Sequence, residues 1–141
     1  MAAGFTQQFA VKGKDFLRAG TASTEIRSSL KSLGVDPSVV RRVGIAAYEA
    51  EMNVVMYAAH AKLTFSITPD RIALSVEDEG PGIPDVDMAM REGWSTATHE
   101  MREMGFGAGM GLPNIRRNAD EFTITSVVGK GTRLEILFRL N

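Results

Sequence analysis

Glu49 and Asn53 stand four residues apart in a stretch rich in alanine, valine and methionine. On a helix that spacing projects both side chains from one face. A carboxylate there can take a proton or orient a water, and an amide oxygen is a hard ligand suited to Mg2+. Taken alone, the pair could equally be a solvated polar stripe. The apolar residues around it weigh against that, because a mostly buried helix must find partners for its polar groups. Glu51 points away from the shared face and reads as a solvated charge.

Two glycine motifs follow. Asp78-Glu79-Gly80-Pro81-Gly82-Ile83 comes directly after the apolar run Ile72 to Val76. An aspartate ending a buried strand can accept a hydrogen bond from an exocyclic amine, and Gly80 and Gly82 let backbone approach a flat ring. An ordinary strand-ending Asp-Gly turn would read the same way. Gly105, Gly107, Gly109 and Gly111 then recur at every second position and lead through Leu112 into a helical pattern. Such a run fits either a phosphate-binding loop or a glycine hinge. Thr132, after Gly129-Lys130-Gly131, either caps a hairpin or lends its hydroxyl to the pocket of Asp78. Lys130 lacks the glycine spacing of a P-loop and precedes a strand, so that motif is excluded. His60 and His99 stand in no Glu-x-x-His or His-x-x-x-His arrangement, so neither is expected to bind a metal.

The elements that must carry these residues follow from periodicity. Phe5 to Val11 alternates as a strand, and Lys14 to Leu33 is expected to form a helix stopped by Gly34. Asp36-Pro37 opens a second helix, expected to run to about Ala59. Leu63 to Ile67 and Arg71 to Val76 read as strands joined at Thr68-Pro69-Asp70. From Glu79 to Gly111 periodicity is poor, apart from a short helix expected over Asp85 to Glu92. A loop of that length is usually functional, and its methionines, with Trp94, suit a segment that repacks. Leu112 to Ala119 reads as a helix, and Phe122 to Val127 with Arg133 to Leu140 as a closing hairpin. The order predicts an α+β two-layer sandwich, with helices on one face of a mixed β-sheet.

At 141 residues the chain suits a single domain. Its net charge of −1 argues against a nucleic-acid binder. With no cysteine it has no thiol chemistry or disulfide framework. No signal peptide or membrane span is legible, so a cytoplasmic protein is expected.

Taken in order, the motifs resemble those of the GHKL ATPase family, also called the Bergerat or histidine-kinase-like ATP-binding fold. Glu49-x-x-x-Asn53 is similar to its N box, Asp78-x-Gly80-x-Gly82 to its first glycine box, and Gly105 to Leu112 to its second. The resemblance is strongest to the small serine kinases and anti-sigma factors of the RsbW, SpoIIAB and RsbT group, with the RsbT-type switch kinase nearest in pattern. It implies one ATPase domain over residues 1–141 with an ATP lid at about 84–111, and ATP and Mg2+ as cofactors. It implies a serine/threonine kinase in which Glu49 is the general base and Asn53 the Mg2+ ligand. Asp78 would bind adenine, the glycines at 105–111 would close over the triphosphate, and Gly80, Gly82, Ile83, Met110, Leu112 and Thr132 complete the implied ATP contacts. A STAS-domain antagonist is the implied protein substrate; a sigma factor or a PP2C-type phosphatase is the alternative partner. A homodimer through the N-terminal strand and sheet edge is common among the anti-sigma members. The chain departs from some members at Met56, where they place a phosphate-contacting lysine, and at Met101 to Met104, which lengthen the lid relative to the shortest members.

Overall fold

The computed structural model describes residues 4–90 and 111–140. Among them, five strands form one sheet in the order β1-β2-β3-β5-β4, with β1 spanning Phe5–Lys12, β2 His60–Ile67, β3 Arg71–Glu79, β4 Glu121–Val127 and β5 Gly131–Arg139. Helices α1 (Thr21–Ser32) and α2 (Pro37–Tyr57) lie between β1 and β2 in sequence. The short α3 (Val86–Ala89) and then α4 (Gly111–Asn118) lie between β3 and β4.

Strand alternation sorts the two faces of the sheet. Ile72, Leu74 and Val76 of β3 and Leu134, Ile136 and Phe138 of β5 are buried toward the helices. Between them, Ser75, Glu77, Arg133 and Glu135 lie on the opposite face, where Arg133 pairs with Glu77 and Glu135. The core is completed by Ile26 and Leu30 of α1, Val43, Ala47 and Val54 of α2 and Ile115 of α4. Each large side chain removed from water here contributes about 1.5–3 kcal/mol.

Helix α2 forms where Asp36-Pro37 predicts. Asp36 Oδ1 accepts from the Ser38 amide at 2.8 Å, and proline occupies the first turn, where its missing N–H is no loss. At the far end of the core, Arg42 of α2 donates to the Asn118 carbonyl at 2.9 Å and pairs with Asp120 at 3.2 Å, tying α2 to the end of α4.

Three expectations are corrected. Among the described residues the sheet is not mixed: every pairing is antiparallel. β4 does run parallel to β3, but its hairpin partner β5 inserts between them, so no parallel pair forms. The first helix starts at Thr21, not Lys14. Gly13 and Lys14 bond instead to the Ala59 and Val55 carbonyls at the end of α2, and Gly20 takes a left-handed φ of 95°.

Glu51 is the third. It is only 2 % exposed, and its carboxylate accepts from the amides of Gly20 (3.0 Å), Ala22 (3.2 Å) and Ser23 (3.0 Å). It caps α1 from the side of α2 that α1 covers. The Asp85 to Glu92 helix is realised as Val86–Ala89, with Asp85 Oδ1 capping at the Met88 amide; residues 91 and 92 lie outside the described residues. Among the described residues no helix is long and apolar enough to cross a membrane.

Candidate functional site

Helix α2 is the spine of the site. Its central turns carry Glu49 and Asn53, both half-buried, and its end at Tyr57–Ala58 abuts the motif that follows β3. From Glu49 to Tyr57 the axis rises roughly 12 Å. Helix α4 packs along this stretch. A Cβ built on Gly111 would lie 3.2 Å from Glu49 Oε2 and 3.5 Å from Asn53 Oδ1, so this glycine stands against both polar groups. Asn114 lies one turn further along α4, on the same face as Gly111. Burial raises the Glu49 pKa above the ordinary carboxylate value, and the Asn114 amide opposes that rise.

The second half of the site is a hydrogen-bonded chain at the end of β3. Asp78 Oδ1 accepts from the Thr132 amide at 3.0 Å. The Thr132 hydroxyl meets the Ser126 hydroxyl at 2.9 Å, and Ser126 Oγ accepts from the Ile83 amide at 2.7 Å. The turn between them is held by the closing hairpin: the Gly80 amide donates to the Lys130 carbonyl at 3.1 Å, and the Gly129 amide to the Pro81 carbonyl at 2.9 Å. Gly82 needs to be glycine, since φ is 76° and a Cβ would lie 2.6 Å from the Val127 carbonyl oxygen. Burial raises the pKa of Asp78, with the Thr132 amide acting the other way.

The two halves meet at Ala58. A Cβ on Gly80 would be 3.0 Å from Ala58 Cα and 3.4 Å from Asp78 Oδ1. The structure thus brings Glu49, Asn53 and Gly111 together at one end and Asp78, Gly80, Gly82, Ile83 and Thr132 at the other. Leu112 differs: its side chain is 8 % exposed and belongs to the core. Gly105, Gly107, Gly109 and Met110, with Trp94, His99, Met101, Met104 and most of the expected lid at 84–111, lie outside the described residues. Met56 is 6 % exposed, and its carbonyl accepts from the Lys14 ammonium. Two participants were missed from sequence. Asn114 carried one signal, its i+3 spacing from Gly111 on a helix; Ser126 carried none beyond lying next to the turn.

Among the described residues no group of three or more His, Asp or Glu side chains could hold a metal ion by itself. Mg2+ requires no such cage, since it is often bound through one or two protein ligands together with substrate phosphates. Asn53 Oδ1, opposite the bare Cα of Gly111, fits that role. The space the absent Cβ leaves suits close approach of a polyphosphate.

Comparison with known proteins identifies relatives of this chain. Residues 39–141 match the family described as histidine kinase-, DNA gyrase B-, and HSP90-like ATPase. The chain is 33 % identical over 115 residues to the serine/threonine-protein kinase RsbT of Bacillus subtilis (strain 168), covering 79 % of this chain and 80 % of the relative. It is 32 % identical over 105 residues to the anti-sigma F factor of Caldanaerobacter subterraneus subsp. tengcongensis, covering 70 % of each. In fold it is similar to a chain in the crystal structure of the SiaB-SiaC complex from Pseudomonas aeruginosa, with a TM-score of 0.64 and 14 % identity over 94 % of this chain and 88 % of that one.

Proposed function

Because the chain belongs to the family of histidine kinase-, DNA gyrase B-, and HSP90-like ATPases, we propose that it is a protein serine/threonine kinase of a partner-switching system, acting in the cytoplasm with Mg-ATP on a STAS-domain protein. The observation that carries this reading is the grouping of Glu49, Asn53 and Gly111 in one space. It joins a half-buried carboxylate, a hard oxygen ligand and an open backbone. Phosphoryl transfer asks a protein for positioning, charge neutralisation and a base. Bound Mg-ATP supplies the phosphoryl group and the metal charge that offsets its negative oxygens.

The chain's own residues do the rest. Asn53 holds the metal through Oδ1. Asp78 accepts the adenine amine, with its carboxylate oriented by the Thr132 amide. Gly80, Gly82 and Ile83 line the base through backbone held against the closing hairpin. Glu49 takes the proton that the acceptor serine or threonine hydroxyl loses on becoming a phosphoester. The glycines from 105 to 111, with Met110, cover the triphosphate in this proposal.

Incubating the protein with labelled ATP, Mg2+ and a purified STAS-domain protein tests the reading. Phosphoserine or phosphothreonine on the partner supports it; a partner unlabelled at saturating ATP overturns it. The likeness to anti-sigma F factors favours a second reading, in which the bound nucleotide selects between partners and no phosphate is transferred. Nucleotide-dependent capture of a sigma factor or a PP2C-type phosphatase, without labelling, would decide for it.

A further inference from the structure

Helix α2 is flanked by α1 on one side and α4 on the other, which leaves a ridge through Arg41, Ile45 and Tyr48 facing solvent. Ile45 stands one turn before Glu49, so this ridge borders the candidate base. Gly44 interrupts it. Glycine inside a helix costs stability and adds nothing to a core, but here its space is occupied. A Cβ on Gly44 would lie 2.9 Å from Arg27 Cζ, so the Arg27 side chain of α1 lies across α2 in that notch. Arg41 and Tyr48 stand three residues before and four after Gly44, which places the guanidinium between them along the helix. Lys31 follows Arg27 by one turn on α1.

Arg27, Lys31 and Arg41 are exposed, and among the described residues none of them forms an ion pair. The adjacent Arg42 differs, since Asp120 pairs with it at the end of α4. Glu25, the acidic residue of α1, lies on the other side of that helix, in the groove shared with Phe5 and Gln7 of β1. Three like charges therefore gather on one surface of a chain whose net charge is −1. Arginine and tyrosine are the residue types that interfaces concentrate, and the sign of this surface selects an acidic partner. We infer that the acceptor STAS-domain protein docks on this ridge through an acidic face, its carboxylates meeting Arg27 and Arg41 and its surface packing on Tyr48. Docking there brings the acceptor hydroxyl alongside Glu49. The inference rests on the reading of the chain as a kinase for such a protein. Gly44 contributes by seating the Arg27 guanidinium in place, so less side-chain freedom is lost when the partner arrives.

The test compares the wild-type protein with the double variant Arg27→Glu, Arg41→Glu in binding a purified STAS-domain protein, with a non-hydrolysable ATP analogue and Mg2+ present. Surface plasmon resonance reads the association rate as NaCl is raised from about 50 to about 500 mM. The wild-type rate should fall about tenfold over that range, whereas the variant should start about tenfold slower and barely respond to salt. In the transfer assay the KM for the STAS-domain protein should rise about tenfold, with kcat and ATP affinity within about twofold. If charge reversal prevents folding, Arg27→Gln with Arg41→Gln should show the same changes at about half the size on a logarithmic scale. Association and KM unchanged in a folded variant overturn the inference. A STAS-domain protein that binds with this dependence but is never phosphorylated overturns the kinase reading and leaves the docking surface standing. One that does not bind the wild-type protein overturns both.

Discussion

A Cβ on Gly111 would lie 3.2 Å from Glu49 Oε2, so the residue that closes the glycine run and the carboxylate at the centre of α2 compete for one space. That separation is closer than a methyl group normally comes to an oxygen, and Asn53 Oδ1 is 3.5 Å from the same point. Gly111→Ala should therefore weaken ATP binding by about tenfold, or about 1.4 kcal/mol, while the better helix former leaves thermal stability equal or higher. Calorimetric titration with ATP and a melting curve on the same sample read the two effects. Unchanged affinity would show that ligand does not use this space.

Glu49→Gln keeps the shape of the side chain but removes the base. Transfer to a partner protein should fall by about a hundredfold to ten-thousandfold, with ATP affinity little changed. The wild-type pH profile carries a matching sign. Burial raises the Glu49 pKa above the ordinary value of 4.5, so activity should begin to fail on acidification at a pH above that value. In Glu49→Gln any residual rate should lack this limb. A variant with wild-type turnover would remove Glu49 from the chemistry.

Asp78→Asn separates binding from stability. The amide oxygen can still accept from Thr132, but the adenine amine meets a weaker acceptor, so ATP affinity should drop about tenfold. Stability should move the other way. The folded-state pKa of Asp78 is raised, so ionisation opposes folding at neutral pH, and that penalty fades as pH falls from the raised value to the ordinary 3.8. The variant should melt higher than wild type at pH 7, and the gap should shrink in acid. A gap that widens on acidification would contradict the burial of this carboxylate.

Legibility in the sequence followed the range of the forces involved. Strand alternation and the Asp36-Pro37 start are local, and both appear where the pattern puts them. The pairing of Glu49 with Asn53 is also local, a matter of helical pitch. What the sequence hid depends on contacts distant in the chain. The insertion of β5 between β3 and β4 makes the expected mixed sheet antiparallel, and the end of α2 draws Lys14 out of the expected first helix. Glu51 is the clearest case. Helical spacing correctly turns it away from Glu49, but only the packing of α1 decides that the other side is interior and not solvent. Ser126 is similar, since a strand serine joins the site only through the folded hairpin.

Glu51 therefore yields a prediction about the fold rather than the chemistry. Its Oε2 accepts from Gly20 and Ala22 and its Oε1 from Ser23, so both oxygens are committed to the first turn of α1. Glu51→Ala would leave the buried Ala22 and Ser23 amides, and the part-buried Gly20 amide, without their acceptor, at a cost of about 2–4 kcal/mol. Glu51→Gln should recover only part of that, because one carboxylate oxygen becomes an N–H group facing another donor. Guanidinium unfolding should show both midpoints lowered, alanine more than glutamine, with the slope unchanged. The folded fraction of each variant should still bind ATP within a few-fold of wild type, since Glu51 faces away from Asn53. If Glu51→Ala unfolded at the wild-type midpoint, α1 would have to be anchored by Ile26 and Leu30 alone, and the cap would be incidental.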